Sequence, residues 1–243
     1  MEKKNILLTG ISKGLGLEIA KTLLQKNTNV YGLSRSKTYE LEDLLLSFPD
    51  RLKWMSYDLS DSDNVNKVLF KEFIGKETKI HGFVNNAASA YDDIISNLNI
   101  KSLERMYRVN VFTPMVITKY VIRQMLLHKI KGSIVHLSSI SVHTGYKGLA
   151  MYASSKGALE AFSKNTAREW GELGIRSNCL VAGFMETEMS ASLSNEQRNR
   201  IYNRTAMKSP TSLTSVANTI EFLLSDEACS ITGQNVFVDS GTI

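Results

Sequence analysis

The sequence predicts a single α/β domain, built as a doubly wound parallel sheet with helices on both faces. Short apolar runs typical of buried strands alternate along its 243 residues with longer segments whose apolar residues recur at helical spacing. A glycine-rich turn joins the first strand to the first helix. No stretch rich in Pro, Gly or Ser divides the chain, so one domain is expected over residues 1–243.

The predicted elements follow one another in strict alternation. Strands are predicted at residues 5–9, 30–33, 52–57, 80–84, 132–137, 175–181 and 236–238. Helices are predicted between them at residues 15–24, 39–48, 65–74, 102–127, 151–173 and 214–224. Sheets of this kind bind ligands at the carboxyl ends of their strands, so the functional motifs are expected just after strands.

Composition and charge are ordinary for a soluble protein, with 43% hydrophobic and 22% charged residues. The net charge is +5, but the Lys and Arg residues are spread along the chain rather than gathered in a run. This distribution disfavours a nucleic-acid partner. A basic balance also suits an enzyme whose ligands carry phosphate groups.

The cysteines, the histidines and the apolar runs of the sequence disfavour disulfide-rich, metal-dependent, secreted and membrane-spanning proteins. The two cysteines, Cys179 and Cys229, cannot build a disulfide framework, and the four histidines have no short metal-ligand spacing, so no catalytic metal is expected. The apolar run at residues 6–8 is too short for a signal peptide, and no run approaches the roughly 20 residues of a membrane span. We therefore expect a cytoplasmic protein that does not enter a membrane.

The turn after the first strand has the features of a diphosphate-binding loop. Gly10, Gly14 and Gly16 allow the backbone to approach a ligand closely, and the following helix start offers free N–H groups and a positive dipole end. The preceding strand and the apolar-periodic helix provide the context that such a loop requires. A tight turn without a ligand is the alternative interpretation.

Tyr152 and Lys156 stand four residues apart in a predicted helix and therefore share one of its faces. An ammonium group near a phenol favours the phenolate, so Lys156 is expected to lower the Tyr152 pKa from about 10. A phenol tuned in this way is a general acid or base. The same spacing also occurs on solvated helix faces, so the pair alone leaves both interpretations open.

These motifs, with one more, resemble the short-chain dehydrogenase/reductase family over essentially the whole chain. The residues that carry the resemblance are the glycine spacing at 10–16, Asn85-Asn86-Ala87-Ala88, and Tyr152-x3-Lys156 preceded by Ser139. The resemblance implies a Rossmann-type domain that binds a nicotinamide dinucleotide and transfers a hydride between it and a ketone or secondary alcohol. Ala88 departs from the glycine that the family places there.

The resemblance also implies a catalytic set of four residues. Ser139 would bind the reacting oxygen and Tyr152 and Lys156 would move the proton, while Asn110 would hold a water beside the lysine. The family pattern selects Ser139 over Ser138, and successive strand residues point to opposite sides. For Asn110 the alternative is a residue that only caps or kinks its helix.

The expected cofactor is NADP(H). Ser34 and Arg35 stand at the end of the second strand, where enzymes that prefer NAD place an acid for the adenosine ribose. Arg35 and Lys13 offer charge-assisted hydrogen bonds to a 2′-phosphate, and the less favoured alternative is that Arg35 is a solvated loop residue. The predicted cofactor contacts are Gly10, Ser12, Lys13, Gly14, Leu15, Gly16, Ser34, Arg35, Asp58, Leu59, Asn85, Ala87, Tyr152, Lys156, Gly183, Met185 and Thr187.

The segment that follows the sixth strand implies a substrate loop over about residues 184–210. Residues 178–187 resemble the family's Pro-Gly segment, which contacts the nicotinamide, and Ala182 replaces the proline. Without proline the turn is expected to be less rigid, because φ is no longer fixed.

Residues 183–189, 225–227 and 231–233 make the sequence most similar, within the family, to bacterial 3-oxoacyl-[acyl-carrier-protein] reductases, and this resemblance implies an acyl-carrier-linked or small carbonyl substrate. Leu173 stands where those enzymes often place a basic residue, although His128, Lys129 and Lys131 form another basic patch. A solvated helix end is the equal alternative for that patch. A sugar, polyketide or secondary-metabolite substrate is the alternative, and a non-enzymatic NADP-binding protein is a further one. The family resemblance also implies a homotetramer or homodimer.

Overall fold

A computed structural model describes residues 3–187, 190 and 193–243, and it confirms the predicted parallel sheet. The strands lie in the order β3-β2-β1-β4-β5-β6-β7. Their bounds are β1 (Asn5–Thr9), β2 (Asn29–Ser34), β3 (Leu52–Ser56), β4 (Gly82–Asn85), β5 (Ser133–Ser139), β6 (Arg176–Ala182) and β7 (Asn235–Val238). The strand order reverses between β1 and β4, where sheets of this type form a ligand crevice.

The helices lie between the strands as the sequence predicts. Their bounds are α1 (Gly14–Gln25), α2 (Tyr39–Ser47), α3 (Ile100–Tyr107), α4 (Thr113–Leu127), α5 (Ser141–Thr144), α6 (Ala150–Trp170), α7 (Asn195–Tyr202) and α8 (Leu213–Leu224). Val65–Ile74 and Arg108–Phe112 are π-helical, and 3-10 turns occur at Ile95–Asn97, Gly171–Leu173 and Asp226–Ala228. Within the described ranges, no helix is both long and apolar enough to cross a bilayer.

Several predicted boundaries are wrong. The helix predicted over 102–127 begins at Ile100 and is interrupted by the π-helical turn Arg108–Phe112. The strand predicted over 80–84 begins at Gly82. Helices α5 and α7 were not predicted, because α5 has only four residues and α7 buries none of its residues and so lacks an apolar stripe.

Two apolar clusters confirm that helices cover both faces of the sheet. Successive side chains of a strand point to opposite faces. Leu8 accordingly packs in a cluster with Ile19 of α1 and Ile220 of α8. Leu7 packs on the other face with Leu69 and Val121. The two layers clamp the sheet and leave the carboxyl ends of its strands free for a site.

Candidate active site

A cavity of about 550 Å³ lies where several strands end, and it gathers most of the predicted cofactor residues. Those that line it are Gly10, Ser12, Lys13, Gly14, Leu15, Gly16, Ser34, Arg35, Asp58, Leu59, Ala87, Tyr152, Lys156, Met185 and Thr187. Predicted residues that do not line it are Asn85, Asn110, Ser139 and Gly183. The glycine turn and the Tyr152/Lys156 pair therefore share one cleft.

The glycine turn is shaped by contacts that a side chain would block. Gly10 has a φ of +74°, and its N–H donates to the Leu33 carbonyl at 2.7 Å. A Cβ on Gly16 would lie 1.9 Å from the Gly10 carbonyl oxygen. The N-cap residue of α1, Lys13, makes no side-chain capping hydrogen bond. The N-terminus of α1 can therefore present its backbone N–H groups to an anion.

Tyr152 and Lys156 lie deep in the cleft. The Lys156 ammonium donates to the Leu137 carbonyl oxygen at 2.7 Å and lies 5.7 Å from the centre of the Tyr152 ring. Burial lowers the Lys156 pKa to about 8, because a buried cation loses hydration. The lysine can therefore exchange a proton close to neutral pH.

The expected lowering of the Tyr152 pKa is wrong for this structure. Burial, and secondarily the negative charge of Asp92, raises the pKa of the phenol above its ordinary value. The physical reason is that a phenolate removed from water loses hydration, so the neutral phenol is favoured. Tyr152 is consequently protonated at neutral pH, and it is poised to donate a proton rather than to accept one.

The two serines at the end of β5 have different partners. The Ser138 hydroxyl donates to the Glu160 carboxylate on α6. The Ser139 hydroxyl accepts hydrogen bonds from Ser141, from its backbone N–H at 3.2 Å and from its Oγ at 3.0 Å. Ser138 lines the cleft, but it is buried and its proton is already used. Ser139 is partly exposed and keeps its proton, so the hydrogen bonding favours Ser139 as the serine that binds substrate.

Asn110 braces the catalytic helix from the π-helical turn. Its Oδ1 accepts from the Ser89 N–H at 2.8 Å, and its Nδ2 donates to the Ser89 carbonyl and to Ser155 Oγ at 2.9 and 3.0 Å. The side chain is 1% exposed and links the loop after β4 to the residue preceding Lys156. Its role in holding a water stays a prediction.

The corner predicted to bind a 2′-phosphate contains two cations and one serine that is already paired. The Ser34 hydroxyl accepts from Trp54 Nε1 at 2.8 Å and donates to the Ser36 carbonyl at 2.9 Å. The positive charge at this corner therefore comes from Lys13 and Arg35, both of which line the cleft.

Asp58 lies nearby on the same wall of the cleft. A backbone hydrogen bond from Ser60 holds its pKa below the ordinary range, so the carboxylate is ionised at neutral pH. An ionised carboxylate accepts hydrogen bonds only, and it can therefore receive an amino group.

Asn85 and Gly183 lie away from the cleft, so the structure does not support them as direct cofactor contacts. Asn85 is the last residue of β4, and its Nδ2 faces His136 Nδ1 at 3.3 Å inside the domain. Asn86 lines the cleft instead. Gly183 donates its N–H to Val238, and a Cβ there would lie 2.2 Å from Thr211 Oγ1. Both residues support the walls rather than form them.

Several cleft residues were missed by sequence reasoning. They are Leu33, Tyr57, Asn86, Ala88, Ser89, Ala90, Tyr91, Ser102, Arg105, Met106, Val109, Leu137, Ser138 and Ala182. Asn86 and Ala88 belong to a motif that the sequence did reveal. Those on α3 and the loop before it carry no local pattern, because tertiary packing alone brings them to the cleft.

The predicted substrate loop is joined to α7 by a polar contact. The Glu186 carboxylate accepts from Arg198 Nη1 at 3.3 Å and from the Tyr202 hydroxyl. Residues 188, 189, 191 and 192 of the predicted loop lie outside the described residues. The expected looseness at Ala182 is wrong, because Ala182 is the last residue of β6 and pairs with Ser139 and Val238.

Comparison with known proteins adds relatives that match along their whole length. A family model described as enoyl-(acyl carrier protein) reductase matches residues 10–242. The 3-oxoacyl-[acyl-carrier-protein] reductase of Buchnera aphidicola subsp. Schizaphis graminum is 32% identical, over 99% of this chain and 98% of that protein. The L-xylulose reductase of Caenorhabditis elegans is 30% identical, over 98% and 95%. The solved structure of 4-hydroxyisoleucine dehydrogenase complexed with NADH is 27% identical, with a TM-score of 0.92, over 99% and 98%.

Proposed function

The chain belongs to the short-chain dehydrogenase/reductase family and is a nicotinamide-dependent oxidoreductase that acts on CH–OH or carbonyl groups, and from this premise we propose that it reduces a ketone with NADPH. The substrate we propose is a 3-oxoacyl chain linked to an acyl carrier. The observation that carries the proposal is the placement of Tyr152 and Lys156 side by side in the cleft that also holds the glycine turn.

The cleft fits a nicotinamide dinucleotide. Gly10 and Gly16 let the turn pack so closely that a Cβ at either residue would collide with protein atoms, and this turn leads into α1, whose N-cap residue makes no side-chain capping hydrogen bond. In our proposal this backbone holds the diphosphate and Asp58 holds the adenine amino group. When bound, the reduced nicotinamide supplies the hydride.

The chain's own residues supply the proton chemistry. Ser139 donates a hydrogen bond to the substrate carbonyl, and Tyr152 gives its proton to the same oxygen as negative charge develops there. Lys156, with a pKa of about 8, then passes a proton to the tyrosinate. Lys156 is buried and Tyr152 is half-buried, and reduced contact with water strengthens the interactions between them.

Our proposal of NADPH rather than NADH rests on charge. Lys13 and Arg35 are the cations of the adenosine corner, and Ser34 stands where a ribose-binding acid would repel a phosphate. The related 4-hydroxyisoleucine dehydrogenase is described with NADH, so family membership alone does not select NADPH. The discriminating feature of this chain is therefore Arg35 together with Lys13.

Two relatives suggest different substrates. The Buchnera relative is named a 3-oxoacyl-[acyl-carrier-protein] reductase and supports the carrier-linked substrate. The nematode relative is named an L-xylulose reductase and favours a sugar as the second candidate. Lys129 and Lys131 provide positive charge for an acidic carrier, whereas Leu173 provides none.

We further propose a homotetramer or homodimer in the cytoplasm. Phe112 just before α4, Leu127 at the end of α4 and Leu173 after α6 are about half exposed, at 49%, 55% and 54%. Apolar side chains in such positions favour a contact between subunits. Light scattering of the purified chain measures the assembly, and a monomer at micromolar concentration would contradict it.

The substrate proposal is tested by the rate of NADPH oxidation. We expect turnover with acetoacetyl-acyl carrier protein, slower turnover with the same acyl group on a short free thiol, and little with NADH. L-xylulose is the matched competitor. Faster reduction of L-xylulose than of either thioester would replace the carrier-linked substrate with a sugar, and NADH-driven turnover equal to that with NADPH would refute the cofactor preference.

A further inference from the structure

The hydroxyl of Ser139 is held by a second serine that the sequence motifs do not include. Ser141 is the first residue of α5 and is 3% exposed. It directs two donors at Ser139 Oγ, its backbone N–H at 3.2 Å and its own hydroxyl at 3.0 Å. The direction of the second bond is set by the geometry, in which the Ser141 hydroxyl is the donor.

These two bonds decide what Ser139 can offer to a ligand. A serine hydroxyl has one proton and two acceptor lone pairs. Both lone pairs of Ser139 Oγ face Ser141, so its own proton is left for a third partner. A carbonyl or developing alkoxide oxygen accepts hydrogen bonds and does not donate them, and it therefore matches this hydroxyl.

We propose that Ser141 is a positioning residue that makes Ser139 a dedicated hydrogen-bond donor to the reacting oxygen. This inference rests on the proposed function of the site. Hydrogen bonds in a chain polarise one another, so the two bonds received by Ser139 strengthen the one that it donates. The gain is greatest when negative charge develops on the substrate oxygen, and Ser141 therefore acts on turnover more than on binding.

Contacts around α5 keep Ser141 in place. The N–H of Ile140, just before α5, donates to the Ala182 carbonyl of β6 at 3.1 Å. His143 Nε2 of α5 lies 3.1 Å from the Glu160 carboxylate of α6. Because α5 is tied to β6 on one side and to α6 on the other, the Ser141 hydroxyl is presented to Ser139 in a fixed position.

The test is a double-mutant cycle of Ser139→Ala and Ser141→Ala, using the ketone reduced fastest in the NADPH assay. We expect Ser141→Ala to lower kcat about 5- to 10-fold, the effect of about one hydrogen bond, while KM changes less than about 2-fold. Ser139→Ala should lower kcat by about 100-fold or more. In the Ser139→Ala background, Ser141→Ala should have no further effect.

Matched variants separate positioning from folding. Ser141→Thr keeps the hydroxyl and should restore most of kcat. Thr144→Val removes another hydroxyl of α5, one that bonds the Ile140 carbonyl at 2.9 Å, and should leave kcat unchanged. Crystal structures provide a readout that needs no turnover, since Ser139 should occupy one rotamer in the wild type and several in Ser141→Ala.

Each contrary result has a distinct meaning. If Ser141→Ala lowers kcat equally with and without Ser139, or leaves kcat and the Ser139 rotamer unchanged, the positioning role is refuted while the proposed function stands. If Ser139→Ala is fully active, the catalytic assignment itself is refuted, and the inference with it.

Discussion

The two ends of the cleft differ in their exposure to water. We call the end at Tyr152 and Lys156 the reaction end and the end at Lys13 and Arg35 the adenosine end. At the reaction end, Lys156 is buried and Tyr152 is half-buried, and desolvation displaces the pKa values of both. At the adenosine end, Arg35 is exposed to solvent. Charges at the reaction end interact strongly with their neighbours, because little water screens them. Charges at the adenosine end are screened by water and salt. The reaction end should therefore control the rate and the adenosine end the choice of cofactor.

The largest effect is expected at the reaction end. Tyr152→Phe keeps the ring and removes the proton donor, so kcat should fall about 10³-fold. Initial rates at saturating NADPH measure this loss. Near-normal turnover of every accepted ketone would contradict the assignment of Tyr152 as the acid.

A substitution at the adenosine end should change the cofactor preference of the enzyme rather than abolish its activity. Arg35→Asp replaces an attraction for the 2′-phosphate with a repulsion, so KM for NADPH should rise about 10- to 100-fold while KM for NADH changes little. Measuring both KM values at two salt concentrations adds a control, because the wild-type preference should weaken at high salt. Equal losses with both cofactors would indicate a general structural defect.

The glycine turn joins the two ends and offers a matched pair of substitutions. Gly16→Ala places a Cβ 1.9 Å from a backbone oxygen, so it should destabilise the domain by about 1–3 kcal/mol and weaken NADPH binding. Gly157→Ala places its Cβ 3.5 Å from Val142, an ordinary contact, and should leave NADPH binding unchanged. Urea unfolding and fluorescence of bound NADPH test both variants. Equal behaviour of the two would refute the close approach at Gly16.

Burial of Lys156 predicts a smaller, pH-dependent effect on stability. Its pKa is lowered from 10.5 to about 8, so between these pH values the unfolded chain binds more protons than the folded one. The free energy of unfolding contributed by this residue therefore rises with pH, by at most about 1.4 kcal/mol per pH unit within that window. Urea unfolding should show that the free energy of unfolding of the wild type increases relative to that of Lys156→Met as pH rises from 8 to 10. Parallel pH profiles of the two proteins would contradict this.

The sequence predicted those features that depend on local pattern. Alternating apolar runs predicted every strand of the sheet, and the glycine spacing together with Tyr152 and Lys156 predicted the cleft. These predictions are correct because strand periodicity, helix periodicity and motif spacing depend on residues that are close together in the sequence.

Features set by distant residues were not predictable in this way. The Ser34 hydroxyl is occupied by Trp54 from β3, and Asn85 turns inward toward His136 of β5. Arg105 reaches the cleft from α3. The pKa of Tyr152 is raised, whereas the sequence predicted that it is lowered. The four-residue spacing predicts that Lys156 is a neighbour of Tyr152, but it does not predict how strongly the phenol is desolvated.

The most direct test of two separable ends is the NADPH dissociation constant of Tyr152→Phe, measured by fluorescence on the same preparation used for turnover. Because the adenosine end is untouched, affinity should stay within about threefold of the wild type while turnover is lost. A loss of affinity as large as the loss of turnover would show that the two ends act as one unit and would contradict the division proposed for the cleft.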